Sequence, residues 1–125
     1  MQEHGVLVVE DDFAIRRLVK MVLTRYGYRV DEATDGLEAE LKLALSEYDV
    51  IVLDLMMPRV DGFTFMKTFA DNDPAWLKKM IVTSAASPVV IRERMQELPF
   101  DVLPKPFDIA TLVQRVRDCI AAQVG

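Results

Sequence analysis

The stretch Gly5-Val6-Leu7-Val8-Val9-Glu10-Asp11-Asp12 decides how the rest of the chain is read. Its apolar half is short, rich in valine and unbroken by any polar residue, the pattern of a strand buried on both faces in a parallel sheet. The acids follow at once. A second such run, Val50-Ile51-Val52-Leu53, also ends on an acid, Asp54. A third, Met80-Ile81-Val82-Thr83, is followed by Ser84, and a shorter one, Phe100 to Pro104, by the turn Lys105-Pro106-Phe107. From Tyr28 to Ala33 the pattern alternates instead, as a more peripheral strand would.

Helical periodicity fills the intervals. Ile15, Leu18, Val19, Val22 and Leu23 form one stripe, with Arg16, Arg17, Lys20 and Arg25 largely away from it and Gly27 placed to stop the helix. Asp35-Gly36 opens a second helix whose stripe includes Leu37, Leu41, Ala44 and Leu45. A loop holding Pro58 and Gly62 leads into a third, around Phe63 to Ala70, which Asp71-Asn72-Asp73-Pro74 breaks. Val89 to Leu98 reads as a weaker fourth helix stopped by Pro99. Asp108 caps a fifth, with Leu112, Val113, Val116 and Ile120 on its stripe. Strand and helix thus alternate five times, which predicts an α/β domain with a parallel sheet and helices on both faces.

Composition narrows the function classes. The 125 residues suit one compact domain, and a 51% hydrophobic content can fill its core. A net charge of -5 disfavours nonspecific binding to nucleic acid or to an anionic membrane, since both need a basic surface. No apolar run approaches the ~20 residues that span a bilayer. The single cysteine, Cys119, cannot close an internal disulfide, and with no secretory signal the expected compartment is the cytoplasm. Cys119 sits in an apolar-periodic stretch and reads as a small, partly covered residue rather than a reactive thiol. His4 has no Cys or His cluster near it and reads as a solvated residue of an N-terminal tail, residues 1–4.

In doubly wound sheets the functional crevice lies beyond the carboxyl ends of the strands, at a switch in strand order. Glu10 and Asp11, Asp54, Ser84 and Lys105 each follow a different predicted strand, so they are expected on one rim. Carboxylates gathered there repel one another unless a cation joins them, and a hard divalent ion such as Mg²⁺ takes oxygen ligands. A carboxylate can also act as a nucleophile towards a phosphoryl group. A metal, an ammonium and a hydroxyl would then stabilise the charge spread over the equatorial oxygens. Each residue alone has a plainer role: Asp11 or Asp12 as a helix cap, Ser84 as a turn residue, Lys105 as a solvated cation. Asp54 resists one, because an acid at the end of a buried strand needs a partner.

Taken in order, Val8-Val9-Glu10-Asp11-Asp12, Asp54-Leu55-Met56-Met57-Pro58 with Asp61-Gly62, Ser84-Ala85 and Lys105-Pro106-Phe107 resemble the response-regulator receiver family over essentially the whole chain. The resemblance implies a flavodoxin-like five-stranded sheet in the order 2-1-3-4-5 with five surrounding helices. It implies phosphorylation of Asp54 by a histidine kinase, a phosphotransfer protein or a small phosphodonor, in a switch rather than an enzyme. Glu10, Asp11, Asp54 and the Met56 backbone carbonyl would hold Mg²⁺, with Asp11 a direct ligand. Lys105 would pair with the phosphoryl group, and the Lys105-Pro106 bond would be cis. Ser84 would turn towards the phosphoryl oxygens and change the surface of the fourth helix, fifth strand and fifth helix, which meets an output domain or protein and makes a homodimer in some relatives. Thr83 is the competing hydroxyl; Ala85, a small residue after Ser84, favours Ser84.

Three departures stand out. Val102 occupies the place of the family's switch aromatic, the fourth helix lacks its usual Gly-Ala ending, and Met56 and Ala86 offer no side chain to orient an attacking water. The last predicts a long phosphoryl lifetime. No output domain follows the final helix, as expected of a single domain over residues 1–125, stand-alone or cut from a larger regulator or hybrid kinase. A phosphorylation-independent interaction module would lack one of these polar residues. An aspartyl phosphatase would need an acid at Met56, and a flavodoxin-like cofactor carrier a Ser/Thr/Gly loop in place of Glu10-Asp11-Asp12.

Overall fold

The computed structural model describes residues 4–55, 74–85, 89 and 101–124. Five strands, β1 (Gly5–Val9), β2 (Arg29–Ala33), β3 (Val50–Asp54), β4 (Met80–Ser84) and β5 (Asp101–Pro104), form one sheet in the order β2-β1-β3-β4-β5. Every pairing is parallel. The alternating segment takes the edge, as β2, and the unbroken apolar runs take the interior. All positions of β1, β3 and β4 are buried, as strands covered on both faces must be.

Strand alternation sends neighbouring residues to opposite faces. Val6, Val8, Val50, Val52 and Ile81 meet α1 (Phe13–Arg25) through Val19 and Leu23, and the C-terminal helix (Ile109–Val124) through Leu112, Val113 and Val116. Leu7, Val9, Ile51, Leu53 and Val82 point the other way, towards Ala39 of α2 (Gly36–Leu45). Each of these buried aliphatic side chains contributes on the order of 1.5–3 kcal/mol of transfer free energy.

The helix ends follow the local chemistry. Asp12 caps α1, its Oδ1 accepting from the Ile15 N–H at 3.1 Å, and Asp35 caps α2 through the Glu38 N–H at 2.9 Å. Gly27 ends α1 with φ +93, a conformation that favours glycine. Its N–H reaches the Thr24 carbonyl at 3.0 Å and the Tyr28 N–H reaches that of Leu23 at 3.3 Å, which satisfies two last-turn carbonyls. Asp108 Oδ1 accepts from the Ala110 N–H at the start of the C-terminal helix.

Four expectations are corrected. Leu37, Leu41, Ala44 and Leu45 are exposed, and α2 turns Gly36 and Ala39 inward instead, small residues that let it approach the sheet closely. Leu18 is also exposed, whereas Arg16, placed outside the α1 stripe, is buried. His4 is tied down: its carbonyl accepts from the Arg29 N–H at 2.9 Å and its Nδ1 lies 3.4 Å from Asp49. A 3₁₀ helix over Pro74–Lys79, unforeseen in the sequence, leads into β4. Cys119 is half-buried, its Sγ donating to the Lys78 carbonyl, and burial pushes the thiol pKa up, consistent with an unreactive role. The expected helices at 63–70 and 89–98 lie outside the described residues, apart from Val89.

Leu53→Ala, at a fully buried site in the middle of the sheet, is expected to cost about 2–5 kcal/mol in urea denaturation. Leu41→Gln, on the exposed face of α2, should stay within about 0.5 kcal/mol of the parent.

Candidate functional site

Strand order reverses between β1 and β3, so a crevice opens where their carboxyl ends diverge. Glu10 and Asp11 leave β1 on one side of it, and Asp54 ends β3 on the other. Asp12 is occupied as the α1 cap, which leaves Glu10 and Asp11 to the rim. Glu10 and Asp54 are buried and Asp11 is exposed, and one ligand atom from each lies within 4.8 Å of the others. Hard oxygen donors that close, on two backbone segments and partly open to solvent, fit a divalent cation of the Mg²⁺ kind.

Lys105 enters from the end of β5. Its Nζ donates to Glu10 Oε1 at 2.7 Å and to Asp54 Oδ2 at 3.2 Å, so one ammonium bridges the two buried carboxylates. The Lys105-Pro106 bond is cis, as the resemblance implied. Burial, then the hydrogen bond with Asp54, raises the Glu10 pKa from the ordinary 4.5 to about 7, against the opposing pull of Lys105. Burial alone would lower the Lys105 pKa, but the hydrogen bond to Glu10 and the charges of Asp54 and Glu10 raise it overall.

Both candidate hydroxyl residues end β4 and both are buried. Thr83 lies in register with Asp54 and its carbonyl accepts from the Leu55 N–H at 3.0 Å. The Ser84 carbonyl accepts from the Lys105 N–H at 2.8 Å, which joins it to the strand end that carries the ammonium. The sequence-predicted rim therefore assembles for Glu10, Asp11, Asp54 and Lys105, with Ser84 at the adjoining strand end. Met56, Ala86, Pro58 and Asp61-Gly62 lie outside the described residues. Val102 is half-buried against the core, with no ring to swing outward.

Sequence reasoning missed Arg16. Its Nη1 donates to the Glu10 carbonyl at 3.0 Å, and it is only 8% exposed. Nothing in the helical periodicity marks it, because the contact is tertiary.

The family model for the response regulator receiver domain matches residues 6–117. The chain belongs to the response regulator receiver family. This receiver is 34% identical over 116 residues to the DNA-binding dual master transcriptional regulator RpaA of Synechocystis, covering 90% of this chain and 47% of that protein. It spans about half the length of the curated relatives it matches. Among solved structures it is similar to the Francisella response regulator 1452 receiver domain, with TM-score 0.86, 32% identity and coverage of 97% of this chain and 99% of that one. It also resembles the Thermotoga maritima response regulator TrrA in complex with Mg²⁺-BeF, with TM-score 0.79, 28% identity and coverage of 93% and 98%. No helix among the receiver's described residues is long and apolar enough to cross a membrane.

The raised Glu10 pKa sets a pH dependence. The native state holds the proton more tightly than the unfolded chain, so this contribution is fully present below about 4.5 and is lost as pH rises through about 7. With a chelator present, the Tm of the parent should fall more between pH 5 and pH 8 than that of Glu10→Gln, measured by circular dichroism.

Proposed function

We propose that this receiver accepts a phosphoryl group on Asp54 from a histidine kinase or phosphotransfer protein and serves as a switch for an output domain or protein, rather than as an enzyme. The observation that carries the reading is the Lys105 ammonium, within hydrogen-bond reach of both buried carboxylates at the switch point of the sheet. An Asp54 carboxylate oxygen forms the new P–O bond as the P–N bond of a phosphohistidine donor breaks. Lys105, already beside Asp54, then pairs with an equatorial phosphoryl oxygen, where transition-state charge collects. The Ser84 hydroxyl, at the neighbouring strand end, would take a second such oxygen. Glu10, Asp11 and Asp54 would hold Mg²⁺, with the Met56 carbonyl as the further ligand that the resemblance implies. Bound there, the ion would supply the positive charge that lets carboxylates and phosphoryl oxygens share the crevice.

A donor protein needs somewhere to rest while its phosphoryl group reaches Asp54. A largely apolar groove of about 400 Å³ borders the site, lined by Ile15, Leu18, Ala85, Pro106 and Phe107, with Lys105 in its wall. Leu18 is exposed there, which its stripe position did not foretell. The output response is proposed to run through β5 and the C-terminal helix, joined by the Arg115–Asp101 ion pair, together with the fourth-helix segment outside the described residues. The half-buried Val102 argues for a response that does not depend on a moving aromatic ring. A homodimer through that same face is part of this proposal.

Incubation with Mg²⁺ and acetyl phosphate should add one phosphoryl group by intact mass, with none on Asp54→Asn. A folded parent that takes no adduct from any donor would instead indicate a phosphorylation-independent interaction module. Lys105→Met should slow labelling on the order of a hundredfold, the scale for removing one charge-stabilising donor. Leu18→Asp should leave acetyl phosphate labelling intact. It should slow transfer from a donor protein about tenfold, equivalent to ~1.4 kcal/mol of lost contact, in a kinase transfer assay.

A further inference from the structure

Glu10 is held at every polar group it possesses. Its N–H donates to the Ala33 carbonyl at 3.0 Å, Oε1 accepts from Lys105 at 2.7 Å and Oε2 from the Asp12 N–H at 3.3 Å. Its carbonyl accepts from Arg16 Nη1 at 3.0 Å. That last contact needs a separate explanation, because removing a guanidinium from water is costly unless its contacts compensate.

A link between α1 and β2 does not supply the explanation. Arg16 Nε lies 3.4 Å from Glu32 Oε1, but that pair lacks hydrogen-bond geometry, and both atoms are buried without a hydrogen-bond partner. Arg17 and Lys20 reach the same carboxylate at 3.2 and 3.5 Å from more exposed positions. The α1–β2 link would therefore survive without Arg16. The grip on the Glu10 carbonyl would not.

We infer that Arg16 is a positioning residue for the cation site. By holding the Glu10 carbonyl it fixes the backbone as it leaves β1 for Asp11, and so fixes how the Asp11 carboxylate faces those of Glu10 and Asp54. This rests on reading those three carboxylates as a divalent-cation site. The inference makes a prediction of definite sign. As a mere positive charge, Arg16 would repel a bound cation, and its removal would tighten binding. As a positioning residue, its removal loosens the ligands and weakens binding.

The test is calorimetric titration of the chain with MgCl₂, with thermal unfolding recorded alongside. Arg16→Met should bind Mg²⁺ about tenfold more weakly than the parent, the scale for losing a group that orients a metal ligand. Arg16→Lys keeps charge and stem but not the planar fork. It too should bind more weakly, and it carries the test if Arg16→Met does not fold. Glu32→Gln, which removes the ion pair and leaves the carbonyl contact, should bind like the parent. Parental or tighter affinity in a folded Arg16 variant would overturn the inference, as would an equal loss in Glu32→Gln. A parent that binds no Mg²⁺ would overturn the cation site itself, an outcome distinct from both.

Discussion

Everything at the rim depends on two buried carboxylates, Glu10 and Asp54, and on the ammonium that bridges them. Buried carboxylates a few ångströms apart cannot all ionise cheaply where water is scarce. Burial first, and then its hydrogen bond with Asp54, raises the Glu10 pKa, and Lys105 is drawn into a bridge with both buried acids. A divalent cation bound by the native state alone would stabilise the fold by mass action. Ligand affinity and fold stability would then be tied to the same three side chains.

The sheet makes this concentration of charge possible. Strands covered on both faces have only their ends in contact with solvent, so polar groups collect there. The order β2-β1-β3-β4-β5 then brings the ends of β1 and β3 side by side. Division of labour within Glu10-Asp11-Asp12 completes the arrangement: the third acid caps α1, and the first two are left for the crevice.

The strand positions were legible because an unbroken run such as Val50-Ile51-Val52-Leu53 has few other homes. The site was legible because each such run ends on a polar residue whose spacing matches the family. What escaped the reading was tertiary. Arg16 sits among exposed cations in the helical pattern, and only in the folded structure do the Glu10 carbonyl, Glu32 and the Phe13 ring gather around it. The leucines of α2 look like a core stripe, yet a helix that sits close to the sheet needs Gly36 and Ala39 on that side. His4 resembles a free tail residue until Asp49 and the edge strand are in place. Thr83 and Ser84 are adjacent buried hydroxyl residues, so residue type alone did not rank them.

The Lys105–Glu10 hydrogen bond spans 95 positions along the chain. One partner leaves the first strand and the other follows the last. During synthesis the acids of β1 and β3 therefore emerge well before their counter-cation, and they must wait for β5 to dock. A nascent or C-terminally clipped chain could hold much of the sheet and still lack the ammonium. The bridge therefore forms only after β5 has docked, so the pairing of the buried acids comes late in the assembly of the sheet.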